Sequence, residues 1–235
     1  MIASDRVLRL LCWALIAFAL ATAALQLTVS QNPFATYVDD TVVTDLVDRL
    51  LIFRSNDQMV LGLALVSGVV GTGLYLVGSL LGLVLRRLAP SGAAGDVMAG
   101  LFVVGGIAGV VSQLMYLAIS NIATFGYCDC GYKATEVIAQ DYALSAAWTL
   151  QSWVNLGGLV IVALAVSFAG WFVNLSRDWR ILSYVIAFGA LLGAALRVFG
   201  AYQTSDIALG LTAGIAVPIW AYFLARGSGR LAAQS

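Results

Sequence analysis

The stretch VMAGLFVVGGIAGVVSQLMYLAIS, residues 97–120, decides the fold of this chain. It carries no charge, and its polar side chains are confined to Ser112, Gln113, Tyr116 and Ser120. About 20 mostly apolar residues suffice to cross the roughly 30 Å of hydrocarbon in a bilayer as an α-helix. A barrel strand would instead alternate apolar and polar residues over about ten positions, and this run does not alternate. A helix is also the one single segment that satisfies its own backbone hydrogen bonds in lipid.

Five other runs read the same way, at 8–29, 59–85, 145–173, 180–200 and 206–225. The expectation is an all-α polytopic bundle of six transmembrane helices forming one integral membrane domain, 1–235, with outer loops at 30–58 and 121–144. Composition agrees: 61% of the 235 residues are apolar and 10% charged, against about 25% charged in soluble domains. The formal net charge is zero, which gives nucleic acid no purchase. The chain has no histidine, so histidine-ligated metals, bis-histidine haem and Ser-His or Cys-His catalytic pairs are excluded.

Charges at the span ends set the expected orientation. One side gathers Arg6, Arg9, Arg86, Arg87, Arg177, Arg180, Arg226 and Arg230, while the other has only Arg49, Arg54, Lys133 and Arg197. Both termini are expected in the cytoplasm and both long loops outside, in a bacterial cytoplasmic membrane. Trp13, Trp171, Trp179 and Trp220 are expected to form an aromatic belt at the inner boundary. The first span, with its basic start and Ala19-Leu20-Ala21 triplet, could also be read as a signal peptide. Its apolar run continues to Val29, longer than such a segment needs, and removing it would leave five spans in the same orientation.

The first outer loop contains DDTVVTDLVDRLLIFR, in which Val42, Val43, Leu46, Val47, Leu50 and Leu51 recur at helical spacing. That pattern predicts an amphipathic helix on the outer membrane surface. Gly78 and Gly82, Gly105 and Gly109, Gly189 and Gly193, and Gly210 and Gly214 have the spacing that lets helix backbones approach closely. Packing within the bundle is their expected role, and self-association through one of these faces is the sharper alternative. Pro218, near the end of the last span, reads as a kink.

Polar groups inside a membrane are where function is sought first. Gln113 lies roughly 10 Å below the outer end of its span, and Gln151 and Asn155 share one helix face at about 7–13 Å. Tyr116 lies near the same level, and Arg197 ends the fifth span. These five residues are candidates for an outward-facing pocket binding a lipid or a small anionic ligand. In the plainer reading the amides hydrogen-bond between helices and Arg197 reaches the interface or pairs with Asp206. The inner half offers only small hydroxyls such as Thr72 and Ser79, so an ion path through the full thickness is a poor fit.

The second outer loop carries FGYCDCGYK, residues 125–133. Cys128 and Cys130 would face an oxidising compartment and are candidates for a disulfide, as a loop clasp or a redox pair. Structural zinc wants four ligands, and two cysteines without histidine do not supply them, so no metal or cofactor is expected. Cys12, at the other end of its span, reads as a buried small hydrophobe.

The span plan, LSRDWRILSYVIAFGALLGAAL (175–196) and PIWAYFLARGSGRL (218–231) resemble a family of bacterial six-helix membrane proteins, domain of unknown function 4386. The resemblance covers about a third of the residues and implies an inner-membrane location without implying an activity. The functional expectation is a membrane binding or interaction protein, an accessory subunit or sensor touching lipid and a protein partner. Thiol–disulfide or metal handling at the cysteine loop is the alternative, and transport of a small or lipid-like molecule the third.

Overall fold

A computed structural model of the protein describes residues 2–30, 57–88, 92–125, 134–173 and 175–231, and every regular element among them is helical. The helices are α1 (Ile2–Ser30), α2 (Asp57–Leu85), α3 (Gly92–Phe125), α4 (Ala134–Phe172) and α5 (Arg177–Val198). The last crossing is built from α6 (Tyr202–Leu211), a π-helical segment (Thr212–Ala216) and α7 (Val217–Leu231). Six stretches are long and apolar enough to cross a membrane: Arg6–Leu25, Leu65–Leu85, Gly92–Ile119, Thr149–Phe172, Arg177–Val198 and Ile207–Gly227. Each falls on one of the six expected spans, and the protein is an all-α membrane bundle.

Neighbouring crossings are antiparallel. Gly68 meets Leu117, Gly71 meets Gln113 and Gly82 meets Phe102, so α2 and α3 run in opposite directions at a constant register. The chain order is also the order around the bundle, and α1 closes the ring by packing against both α2 and α7. Leu11 and Leu15, Leu81, Phe102, Val166, Ile186 and Leu224, one or two from each crossing, form a continuous buried core with Cys12. All of them lie in the half of the bundle nearer the arginines, the basic end. Cys12 is a free thiol fully enclosed by that core, as its sequence setting suggests.

Close packing is concentrated on α3. Gly106 and Gly109 face α2, lying against the Tyr75 carbonyl and ring, while Gly105 faces α4. A methyl group on Gly105 would come within 2.7 Å of Val162 Cγ2, 3.0 Å of the Val162 nitrogen and 3.1 Å of the Gly158 carbonyl. Two of those three neighbours are backbone and cannot turn away. Other glycines of the spaced pairs also pack inside this chain, with Gly189 against Thr212, Gly193 against Leu209 and Gly214 against Ala23, while Gly78 has open space beside it.

Helix ends follow local chemistry. Ser176 caps α5, its side chain accepting from the Trp179 amide at 3.1 Å. Gly200, at φ 79°, ends the same helix. Its N–H donates to the Arg197 carbonyl, and the next N–H, from Ala201, reaches back to Leu196, the pattern of a Schellman turn that needs a left-handed residue there.

Two expectations change. Residues 121–144 are not all loop, because α3 continues to Phe125 and α4 starts at Ala134; a helix need not stop where the hydrocarbon does. Trp13 and Trp171 are exposed as belt residues should be, but Trp179 and Trp220 are buried and stack on each other, centroids 5.3 Å apart. Pro218 follows a π turn in which the Val217 N–H bonds the Thr212 carbonyl, five residues back. Its ring crowds the carbonyl of Gly214 and it has no N–H to return, and widening the preceding turn relieves that conflict. The amphipathic segment at 42–51 and the pair Cys128 and Cys130 lie outside the described residues.

Substitution of Gly105 by valine should destabilise the protein by about 1–3 kcal/mol through overpacking. Gly78→Ala should be neutral or stabilising by up to about 1 kcal/mol. Thermal unfolding of the two variants in detergent checks both signs.

Candidate functional site

The polar side chains within the spans meet along the seams of α2, α3 and α4. Tyr75 sits halfway along the Leu65–Leu85 span, and its hydroxyl donates to Asn155 Oδ1 at 2.9 Å. The link joins α2 to α4, although α3 packs against both, and it exists because Gly109 on α3 leaves room for the tyrosine ring. One helical turn nearer the far end, Gln151 Nε2 donates to Ser112 Oγ at 2.8 Å. The serine hydroxyl points back toward the Gln151 carbonyl at 3.4 Å, so α3 and α4 exchange a reciprocal pair. Ser112 is fully buried and Gln151 nearly so. Ser79 Oγ donates to the Tyr75 carbonyl at 2.9 Å, one turn back on α2.

The structure therefore distributes the five sequence candidates over different neighbours. Gln151 and Asn155 stand one turn apart on α4 and are tied to Ser112 and Tyr75. Gln113 packs on the other side of α3, against Gly71 of α2. Tyr116, one turn beyond Ser112, and Arg197, in the last turn of α5, are half-buried and each engaged in an interaction of its own. Neutral amides and hydroxyls paired across helix seams hold helices in register, and they carry no charge that could be moved.

Tyr75 and Ser112 are the members that the sequence reading passed over. A tyrosine in the middle of a span was the available signal, since a buried phenol normally finds a hydrogen-bond partner. Ser112 directly precedes Gln113 but projects about 100° away from it around the helix, and it is the serine that faces α4.

A second polar cluster lies at the basic end. Trp220 Nε1 donates to Ser183 Oγ at 2.8 Å, and Ser183 donates to the Trp179 carbonyl at 3.0 Å. Gly170 on α4 gives Ser183 the space to sit between the helices. The indole N–H of Trp179 is buried and has no partner among the described residues. Toward the far end, Ser205 donates to the Gly193 carbonyl at 2.8 Å and ties α6 to α5.

Among the described residues no three side chains of Cys, Asp and Glu converge as a metal site would require. A double-mutant cycle on Tyr75→Phe and Asn155→Ala should give a coupling of about 0.6 kcal/mol and no more than about 1.7 kcal/mol, the range for interhelical bonds in lipid. Additive effects would remove that bond from the account of stability. No family model, curated protein or solved structure matches the chain.

Proposed function

We propose that this is a non-enzymatic membrane interaction protein, an accessory subunit or sensor, whose contact surface is the projection formed by the ends of α3 and α4. The observation that carries this reading is the length of those helices. α4 runs from Ala134 to Phe172, 39 residues, or about 58 Å at 1.5 Å per residue, well beyond the roughly 30 Å of hydrocarbon. α3 has 34 residues, and the two are tightly packed on each other. The Gln151–Ser112 pair lies just below the projection and fixes its base. An antiparallel helix pair anchored in this way presents a stiff surface to a protein partner.

The arginine distribution supports a projection outside the cytoplasm with both termini inside, and the resemblance noted in the sequence adds the bacterial inner membrane to this proposal. A pocket for a lipid or anionic ligand at Gln113, Tyr116, Gln151, Asn155 and Arg197 is a narrower version of the reading. The pairing of Gln151 with Ser112 and Asn155 with Tyr75 favours structural work for those two amides. Self-association would have Gly78, with open space beside it, as one candidate contact.

Replacing residues 126–147 by a short Gly-Ser linker tests the proposal. On native gels of mildly solubilised membranes the wild type should run in a complex larger than the purified chain, and the shortened variant should run alone. Equal migration, with both proteins folded, would sink it. The thiol reading of Cys128 and Cys130 is favoured by their position in the short connection between Phe125 and Ala134. It expects alkylation of both only after a mild thiol; a pair already alkylated without reductant, or resistant after it, removes redox cycling.

A further inference from the structure

A cavity of about 500 Å³ opens at the basic end of α2, lined by Leu83, Arg86 and Arg87. It has no part in the polar layer or in the α3–α4 projection. Arg86 and Arg87 sit side by side on a 3₁₀ turn, Arg86–Leu88, that follows α2 directly. Both are exposed. Arg86 forms an ion pair with Asp96 in the first turns of α3, which ties its guanidinium across the turn and neutralises it. Arg87 has no acidic partner among the described residues. The cluster therefore holds one uncompensated positive charge.

The approach to this charge is apolar. Leu76, Leu80 and Leu83 are all exposed, and their spacing of four and three residues continues to Arg87 on the same face. In a membrane-spanning bundle that face is turned to lipid. It offers a ridge of leucines along which an acyl chain can lie, ending in a cation at the depth of the headgroups.

We propose that this cleft is a binding site for an anionic glycerophospholipid, its phosphate held by Arg87 with Arg86 as a fixed neighbour and one acyl chain against Leu76, Leu80 and Leu83. The charge balance selects the class. A phosphodiester with a neutral headgroup substituent carries one negative charge and matches the single uncompensated arginine. A zwitterionic lipid would bring a second cation to a place already rich in arginine. Guanidinium groups suit the planar, two-point recognition of phosphate.

The test is native mass spectrometry of the full chain released from vesicles of equal phosphatidylglycerol and phosphatidylcholine. The wild type should retain phosphatidylglycerol in preference. Arg87→Gln should lower that preference about fivefold, the worth of one arginine near an anionic surface, and Arg87→Lys, which keeps the charge but loses the two-point contact, should fall between wild type and Arg87→Gln. Arg226→Gln, which removes an exposed arginine at the same end that does not line the cleft, should leave it unchanged. Unaltered thermal unfolding of Arg87→Gln separates loss of binding from loss of fold. No preference in the wild type, or an equal fall in Arg87→Gln and Arg226→Gln, would overturn the proposal, the second outcome meaning diffuse surface charge. In a further arm, inorganic phosphate at millimolar concentration should not displace the lipid; displacement would make the site one for soluble phosphate and overturn the lipid assignment.

Discussion

Everything in this bundle depends on how close α3 can come to its two neighbours. Lipid tails are as apolar as leucine, so burying a side chain between two membrane helices gains little from the hydrophobic effect. Association must come from dispersion at short range and from hydrogen bonds that hydrocarbon cannot replace. Gly105, Gly106 and Gly109 supply the first on both flanks of α3. The same closeness supplies the second, since Tyr75 reaches Asn155 only through the gap at Gly109, and Ser112 meets Gln151 only where the α3 and α4 backbones nearly touch. Glycine and hydrogen bond are two aspects of one constraint.

The two halves of the molecule meet that constraint differently. Toward the basic end all six crossings contribute large side chains to one core, and the stacked Trp179 and Trp220 sit at its edge. Toward the far end the packing is narrower and relies on polar pairs between particular helices.

The crossings themselves were legible because they are continuous: nothing but a membrane helix accounts for residues 97–120 without a charge. The side chain each residue would meet was much less legible. In a soluble helix the buried face differs in composition from the wet one; here both faces are apolar, so Trp13 and Trp179 look alike in sequence although one is 56% exposed and the other 0%. The glycine spacing identified the seams but not their partners. The amides at 151 and 155 stand out by polarity, whereas Tyr75 shows its polar end only once its partner Asn155 is placed beside it. The helical extensions to Phe125 and back to Ala134 are not legible from hydropathy, because polar residues such as Asn121, Glu136 and Asp141 mark the end of hydrocarbon and not the end of a helix.

The π segment before Pro218 has a geometric effect on the whole last crossing. In an unbroken helix at 100° per residue, Ser205 and Ala221 would point about 160° apart. The extra residue taken up by Thr212–Ala216 removes about 100° of that phase and leaves about 60°. Ser205, which bonds α5, and the buried Ala221 are thereby brought onto one side of the crossing. The proline and the wide turn act together as a phase corrector, joining two half-helices whose inward faces would otherwise look in opposite directions.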